Sequence, residues 1–495
     1  MANVLEDINH TRVSLQSRIA QRLIDAGRAI DRVIAEPLAS GRLVRMVGMA
    51  LEAEGLRAAV GAQVEILRRS DEASRPLGML HETSPTRPTT SANVGRSSPD
   101  FWARPVRAEV VGFAQGRTLL MPEDDPQGLR PGLRVKSTGR PREIPTGDGL
   151  LGRVIDADGS PLDGLGPLRD IHMRPLFGPV INPLQRQPVR EPLATGVRAI
   201  DGLLTLGRGQ RMGLFAGSGV GKSVLLGMLC RGTDADVVVI GLIGERGREV
   251  REFLEDVLDQ QARTRAVVVA VPADRSPLAR QYGAWAATAI AEAFRDQGRH
   301  VLLLVDSLTR FAQGAREVAM AVGEPPATKG YAASVFARLP RLVERAGNGA
   351  DGSGSITALY TVLAEGDDHN DPIVDAARAI LDGHIVLSRS IAEGGRYPAI
   401  DVGVSVSRVM TNIVRDEHRL AAAKVRAWLG AFEQNRDLIT VGAYRSGSDS
   451  LLDEALRRRP LLDSFLSQDL REAADYDETV AALMTIATTE VARGH

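Results

Sequence analysis

The segment with the most evident chemistry is glycine-rich and lies at residues 216–223, Ala-Gly-Ser-Gly-Val-Gly-Lys-Ser. A strand-type run, Arg-Met-Gly-Leu-Phe, directly precedes it, and the helical run Val-Leu-Leu-Gly-Met-Leu follows it. Glycine lets a loop curl so that backbone N–H groups face phosphate oxygens, and the helix N-terminus adds its dipole. The lysine reaches the β- and γ-phosphates, and the next serine ligates Mg²⁺. We therefore predict that ATP and Mg²⁺ bind at Gly217, Ser218, Gly219, Val220, Gly221, Lys222 and Ser223.

Such a loop requires an acidic residue at the end of a neighbouring strand, where a carboxylate holds the ligand shell of the metal. The run His-Val-Leu-Leu-Leu-Val-Asp at residues 300–306 ends on an aspartate. Asp306 is accordingly predicted to hold Mg²⁺ together with Ser223. Asp306 or Ser307 could also cap the following helix, and the two roles are compatible.

Hydrolysis also needs a carboxylate that polarises the attacking water. Glu245 directly follows the apolar run Val-Ile-Gly-Leu-Ile-Gly, where a charged side chain is otherwise unwelcome. Taken alone, a surface ion pair with Arg246 or Arg248 would explain it. Beside the glycine-rich loop and Asp306, catalysis is the better interpretation.

Short runs rich in Val, Ile and Leu must position these side chains. Runs of this kind are typical of strands buried on both faces of a mostly parallel sheet, which predicts an α/β fold. The predicted strands are Arg211–Ala216, Val237–Ile243, Ala266–Val271, Val301–Val305, Ile356–Leu363 and Ile385–Ser388.

The segments on either side of this core differ in pattern. Residues 1–30 have the apolar spacing of an amphipathic helix, which packs on its own domain or binds a partner. Residues 31–117 alternate between apolar and polar positions, which favours a small β-barrel, interrupted by the polar loop 82–100. Residues 118–415 form the predicted nucleotide-binding domain, and the Ala-, Leu-, Glu- and Arg-rich residues 416–495 a helical one.

Composition excludes several classes of protein. The formal net charge of -1 argues against a basic nucleic-acid coat and an acidic tail protein. Cys230, the single cysteine, can form no internal disulfide, which favours a reducing compartment. No apolar run reaches the length of about 18 residues that a transmembrane helix requires, so we expect a cytoplasmic protein.

Four motifs in order resemble those of the rotary-type ATPase family that includes the F-type α and β subunits. They are GERGREV at 244–250, DSLTRFA at 306–312, GEPPATKGY at 323–331 and PAIDVGVSVSR at 398–408. The resemblance runs from about residue 30 to the C-terminus and implies a RecA-like ATPase core. More narrowly, the motifs resemble the ATPases of type III protein export, and among these the flagellar branch.

The resemblance implies a role for each matching residue. Lys222 and Glu245 would be catalytic, and Arg246 would lie near the γ-phosphate. Tyr397 matches the aromatic residue that stacks on adenine, although an ordinary core tyrosine would look the same. Arg408 matches the arginine finger that a neighbouring subunit inserts into the site, although a surface ion pair is the default for a single arginine.

One chain that holds both Glu245 and Arg408 could build a ring of identical sites, so the resemblance implies a homohexamer. It also implies partners: a stator-like regulatory protein bound through the N-terminal helix, export chaperones with unfolded substrates, and the export gate at the inner membrane, reached through protein contacts.

Three other functions stay open at this point. An injectisome ATPase of virulence secretion would carry closely similar motifs. An F- or V-type synthase subunit would share the core, although those rings divide carboxylate and finger between two chains. An RNA-translocating helicase would need aromatic stacking platforms, and residues 1–117 offer only Phe101, Trp102 and Phe113. We therefore expect no nucleic-acid partner.

Overall fold

The computed structural model describes residues 39–68, 104–217, 219–363 and 371–489. Its contacts divide the chain into two compact units, Met1–Pro141 and Arg142–His495. The predicted N-terminal helix at 1–30, the polar loop at 82–100 and Ser218 lie outside the described residues.

Six strands of the first unit close into the predicted barrel, in the spatial order β1-β2-β5-β4-β3-β6. Alternating side chains point inward along these strands, because successive residues of a strand face opposite sides. Leu43, Leu51, Val64, Leu120 and Val135 are among those that fill the interior. The strands are β1 (Ser40–Val47), β2 (Ala50–Glu54), β3 (Gln63–Ile66), β4 (Val106–Ala114), β5 (Arg117–Pro122) and β6 (Arg134–Ser137).

The barrel extends beyond the expected boundary after residue 117. β5 begins at Arg117 and lies between β2 and β4, and β6 pairs with both β1 and β3, so the sheet closes only with these two strands. After Arg117 and Thr118, β5 continues with the apolar residues Leu-Leu-Met-Pro, which lack the alternation of a barrel strand and therefore gave no local sign that it belongs to the barrel. The compact unit ends at Pro141.

The second unit is built on a mostly parallel sheet in the order β21-β20-β12-β19-β15-β13-β14-β8, with β18 paired to β19. Smaller two-stranded sheets pair β7 with β9, β10 with β11 and β16 with β17. The strands are β7 (Glu143–Thr146), β8 (Val154–Ile155), β9 (His172–Pro175), β10 (Pro192–Leu193), β11 (Leu206–Gly207), β12 (Arg211–Ala216), β13 (Val237–Ile243), β14 (Ala266–Val271), β15 (His300–Asp306), β16 (Pro326–Thr328), β17 (Tyr331–Ala332), β18 (Gly347–Asn348), β19 (Ser355–Leu363), β20 (Gly383–Val386) and β21 (Val406–Ser407).

This α/β core confirms the predicted fold class. β12, β13 and β14 have the predicted bounds, and β15, β19 and β20 differ from them by a few residues. Every residue of β13 and β14 is buried, as expected for strands covered on both faces.

Helices cover the sheet and form the predicted C-terminal helical region. Among the described residues, α5 is the longest helix, and it packs against β13, β14 and β15. No helix in the described parts of the chain is both long and apolar enough to cross a membrane. The helices are α1 (Arg198–Leu203), α2 (Lys222–Gly232), α3 (Gly247–Glu252), α4 (Gln260–Thr264), α5 (Pro277–Asp296), α6 (Leu308–Ala321), α7 (Ala333–Val343), α8 (Pro372–Ile380), α9 (Arg389–Glu393), α10 (Met410–Ile413), α11 (Asp416–Gln434), α12 (Arg436–Thr440), α13 (Ser450–Leu466) and α14 (Tyr476–Thr488).

Helices α11, α13 and α14 share one hydrophobic core with the parallel sheet of the second unit. Trp428, Phe465 and Leu483 belong to the same buried cluster as residues of β12 and α2. Cys230 is completely buried in this cluster, which supports a packing role for the only thiol.

Candidate nucleotide site

The glycine-rich loop joins the end of β12 at Ala216 to the start of α2 at Lys222. Gly219 and Gly221 have φ angles of 77° and 89°, which only glycine adopts without strain. Gly217 begins the loop, and Val220 anchors it by burial in the core. Ser223 is exposed at the second position of α2. The predicted strand, loop and helix are thus present in the order that phosphate binding requires.

The ammonium of Lys222 joins the two predicted carboxylates. Its Nζ donates to Asp306 Oδ1 and Oδ2 at 2.6 and 2.7 Å, and to Glu245 Oε1 at 3.0 Å. The three side chains are at most 14% exposed. Residues separated by up to 84 positions in the sequence therefore form one buried charged cluster beside the loop.

The order of the strands explains this convergence. β15 lies between β19 and β13, and β19 pairs with β12, all in parallel. The loop after β12, Asp306 at the end of β15 and Glu245 after β13 consequently meet at the same edge of the sheet. This edge is the usual ligand-binding edge of open α/β sheets.

Asp306 is held by a residue that the sequence pattern did not identify. The hydroxyl of Thr361, on the neighbouring strand β19, donates to Asp306 Oδ1 at 2.5 Å and is completely buried. Its only sequence signal is a polar residue near the end of a buried run. The next residue after the carboxylate, Ser307, caps α6 by accepting from Arg310 N–H at 3.2 Å, so the carboxylate and the cap are separate functions of adjacent residues.

Burial and mutual contact shift the three charged groups. Burial raises the pKa of Asp306, and Lys222 only partly opposes this. Burial also raises the pKa of Glu245, against the attraction of Lys222, and the nearby Glu249 adds to the rise. Burial opposes the charge of Lys222, but the two carboxylates outweigh it and keep the pKa of the amine above its ordinary value. Perturbed groups of this kind in one cluster are characteristic of functional sites.

The structure places Arg246 outside this cluster. Its side chain is 83% exposed and pairs with Glu249 at 3.2 Å, at the start of α3. The ion pair considered from the sequence joined Glu245 to Arg246 or Arg248; in the structure Glu245 pairs with Lys222 instead, and Arg246 pairs with Glu249.

The ring of Tyr397 lies against the glycine-rich loop. A Cβ atom at Gly221 would lie 3.6 Å from Cδ1 and Cε1 of this ring. The side chain is 45% exposed, so it is not an ordinary core tyrosine. An exposed aromatic face beside a phosphate loop is suited to stacking on a planar base.

Arg408 does not reach the Lys222 cluster of its own chain. It is exposed directly after β21, which pairs with the start of β20 at Gly383 and His384. β20 in turn pairs in parallel with β12. Asp382, the residue before β20, accepts through its carboxylate from Nε of Arg211, the first residue of β12. Arg408 therefore lies toward the edge of the sheet that is opposite to the loop.

The donor chemistry of the site fits Mg²⁺. A carboxylate at Asp306 and a hydroxyl at Ser223 are hard oxygen ligands, and Mg²⁺ usually takes one or two such groups together with phosphates and water. Within the described ranges, no group of three or more His, Cys, Asp or Glu side chains forms a metal cage.

Two family models match the second unit. The nucleotide-binding domain of the ATP synthase α/β family matches residues 196–407, which include the loop, both carboxylates and Tyr397. The C-terminal domain of the type III secretion ATPase EscN matches residues 414–485.

Curated relatives match nearly the whole chain. The flagellum-specific ATP synthase of Salmonella typhimurium is 52% identical over 456 residues, which cover 91% of this chain and 94% of the relative. That of Pseudomonas aeruginosa is 51% identical, with 95% and 98% covered. The type 3 secretion system ATPase of Xanthomonas euvesicatoria is 46% identical, with 90% and 93% covered.

Solved structures agree with these matches. The assembled ATPase EscN of the enteropathogenic E. coli type III secretion system superposes with a TM-score of 0.79 at 41% identity, covering 90% of this chain and all of the other. EscN in complex with its central stalk EscO gives a TM-score of 0.77. With its loop, its paired carboxylates and relatives above 50% identity over nine-tenths of its length, the chain belongs to the flagellum-specific ATP synthase family, whose core is that of the ATP synthase α/β family.

Proposed function

We propose that this ATPase hydrolyses ATP as a homohexamer to power flagellar type III protein export, releasing substrates from chaperones for secretion. The observation that carries the proposal is the bonding of Lys222 to both Asp306 and Glu245 beside the loop. A phosphate-binding lysine, a metal-holding carboxylate and a water-polarising carboxylate are the three parts that P-loop hydrolysis requires.

In the proposed reaction, the oxygen of a water molecule attacks the γ-phosphorus and the bond from that phosphorus to the β–γ bridging oxygen breaks. Glu245 accepts a proton from the water, and the products are ADP and phosphate. The loop amides and Lys222 hold the phosphates, while Tyr397 stacks on the adenine. Mg²⁺, held by Ser223 and Asp306, neutralises phosphate charge when bound. Arg246, exposed at the start of α3, would approach the γ-phosphate from the rim.

The proposed ring follows from the positions of Glu245 and Arg408. Because Arg408 lies toward the edge of the sheet that is opposite to the loop, a finger role requires a second copy of the chain to receive it. Identical protomers with a carboxylate at one edge and an arginine at the other make a head-to-tail contact that closes into a ring. The assembled state of EscN, which is 41% identical, supports this arrangement.

The proposed partners follow from the family. EscN binds a central stalk protein, EscO, and we expect a comparable partner for this chain. A stator-like regulator would bind the helix predicted at residues 1–30. Chaperones with unfolded substrates, and the export gate reached through protein contacts at the inner membrane, complete the proposed site of action.

Genetic complementation tests the proposed role in flagellar protein export. Expression of the chain in flagellar cells that lack their own export ATPase should restore secretion of hook and filament proteins, whereas the Glu245→Gln variant should not. Purified chain that hydrolyses ATP yet never restores flagellar secretion would contradict the export role while leaving the ATPase intact.

Powering protein export through an injectisome is the second candidate function, because EscN and the Xanthomonas ATPase, both from type III secretion systems, are close relatives. The higher identity to the flagellar enzymes favours the first candidate. Parallel complementation of cells lacking an injectisome ATPase separates the two, since restoration of effector secretion alone would favour the injectisome.

A further inference from the structure

A completely buried amide, that of Gln210, joins the turn before β12 to two other segments. Its Oε1 accepts from Gly207 N–H at 2.9 Å. Its Nε2 donates to Ser407 Oγ at 3.1 Å, to the carbonyl oxygen of Asp382 at 3.3 Å and, more weakly, to Met212 Sδ of β12 at 3.5 Å. One side chain thus links β11, the start of β20 and the end of β21.

One of these acceptors also holds the backbone of Arg408, and another belongs to the residue before it. The N–H of Arg408 donates to the carbonyl oxygen of Asp382 at 3.0 Å, so Arg408 and Gln210 share one acceptor. Ser407, the residue before Arg408, donates its hydroxyl to the carbonyl oxygen of Thr205 at 2.9 Å. Gln210 is therefore bonded both to Ser407, the residue before Arg408, and to the carbonyl that holds the Arg408 backbone.

β12 connects the segment around Asp382 with the glycine-rich loop. The carboxylate of Asp382 accepts from Arg211 N–H and Nε, both at 3.0 Å, at the first residue of the strand. The last residue of the strand, Ala216, directly precedes the loop. A strand of this length spans about 20 Å, so its two ends lie near opposite edges of the sheet.

The turn itself does not need the amide. Gln210 N–H already donates to Gly207 O at 2.9 Å, which closes the turn through the backbone. A buried amide costs free energy unless all its groups are bonded, and an apolar side chain would avoid that cost. The two Nε2 bonds to oxygen acceptors, Ser407 Oγ and the carbonyl of Asp382, both reach segments next to Arg408, so a role in holding that residue accounts for them.

We propose that Gln210 is a positioning residue for Arg408, which fixes the arginine that one protomer presents to the site of its neighbour. This inference rests on the proposed finger role of Arg408. Gln210 acts through Ser407 and Asp382 and contacts no nucleotide.

Replacement of Gln210 by Met keeps the length and removes the two Nε2 bonds to Ser407 and Asp382. We expect kcat to fall roughly ten- to a hundredfold, because small misplacements of a charged group are costly, while nucleotide binding is retained. Ser407→Ala removes one of the two bonds and should give a smaller loss in the same direction. Thr357→Val is the matched control, since its buried hydroxyl accepts from Gly209 N–H at 2.9 Å in the same turn but does not contact the segment of Arg408.

Mixed rings separate positioning from simple structural damage. A Gln210→Met protomer has an intact loop and Glu245, whereas a Glu245→Gln protomer has an intact Arg408. With random 1:1 mixing, about a quarter of the junctions pair an intact site with an intact finger, and these should regain activity. If Gln210→Met instead damaged the nucleotide site of its own protomer, no neighbouring protomer could restore activity. Rings that mix Thr357→Val with Glu245→Gln should lose activity only in proportion to the share of inactive Glu245→Gln protomers.

Rings that mix Arg408→Ala with Glu245→Gln show whether a negative result concerns the role of Gln210 or the finger role of Arg408. If these rings regain activity and the Gln210→Met and Ser407→Ala rings do not, Gln210 does not position the finger. If the Arg408→Ala rings also stay inactive, the finger role itself is wrong. Wild-type kcat in both Gln210→Met and Ser407→Ala would likewise overturn the inference.

Discussion

Among single residues, Lys222 shows why a compact ammonium is required at the end of the loop. Three carboxylate oxygens lie within 3.0 Å of one nitrogen atom. An ammonium offers three donors around a point charge, whereas the guanidinium of arginine is planar and larger. The geometry at this position therefore selects lysine in a chain whose other basic residues are mostly arginine.

Lys222→Ala should weaken nucleotide affinity at least about tenfold and abolish measurable turnover, because the phosphates lose their charged donor. Equilibrium binding of a fluorescent nucleotide and phosphate release would measure both effects. Lys136→Ala, on barrel strand β6, is the matched control and should resemble the wild type. Normal affinity in Lys222→Ala would contradict the role assigned to the loop.

Glu245→Gln should still bind ATP but hydrolyse it about 10²- to 10⁴-fold more slowly, because an amide cannot accept the proton of water. Single-turnover hydrolysis together with nucleotide binding would separate these two steps. Glu252→Gln changes an exposed glutamate that pairs with Arg248 on α3 and should leave turnover unchanged. Unchanged hydrolysis in Glu245→Gln would remove Glu245 from the mechanism.

At the scale of elements, the C-terminal helices are attached to the nucleotide-binding core by buried polar contacts as well as by packing. His418 of α11 lies 2.8 Å from the carbonyl oxygen of Gly202 in α1, through Nε2, and is 2% exposed. Its ring packs edge-on against Tyr476 of α14. One histidine thus contacts two helices of different segments.

His418→Gln should make stability less dependent on pH on the acid side. Burial lowers the pKa of His418 below 6.5, so the unfolded chain takes up a proton there before the folded chain does. The stability that His418 provides above pH 6.5 is therefore lost as the pH falls, by at most about 1.4 kcal/mol per pH unit. Urea unfolding from roughly pH 5.5 to pH 7.5 would compare the slopes. Equal slopes for variant and wild type would show that His418 does not titrate in this way.

For the whole molecule, the decisive feature is that the two residues proposed to complete one site lie far apart within a single chain. Glu245 lies at one edge of the sheet, and Arg408 lies toward the other. Activity should consequently depend on assembly, and an arginine supplied in trans typically contributes about 10³- to 10⁵-fold in rate.

Arg408→Ala should depress kcat by about that factor with little effect on ATP binding. Mixing it with Glu245→Gln protomers should restore part of the activity, because some junctions then join an intact Glu245 to an intact Arg408. ATPase rates measured against the ratio of the two variants, in rings verified by mass, test the dependence. If the ATPase rate stayed near zero at every ratio in verified mixed rings, the result would count against the action of Arg408 across the interface.

The sequence by itself determined those parts of the site that adjacent residues build. The loop from Gly217 to Ser223 needs glycines, lysine and serine in one contiguous order, so the motif alone specifies it. Asp306 and Glu245 were also predictable, because a carboxylate at the end of a buried run loses hydration and needs a charged partner or a ligand to compensate. Continuous apolar runs likewise indicated the central strands within a few residues.

Only the tertiary structure decided which distant segments meet. The order β12-β19-β15-β13 places Thr361 against Asp306, and neither residue has a pattern that reveals the contact. Gln210 and Ser407 are 197 residues apart, and the barrel closes only with β5 and β6, which the predicted boundary after residue 117 did not assign to it. Local periodicity reports which face of a strand is buried, whereas strand order and the partners of buried polar groups depend on long-range pairing.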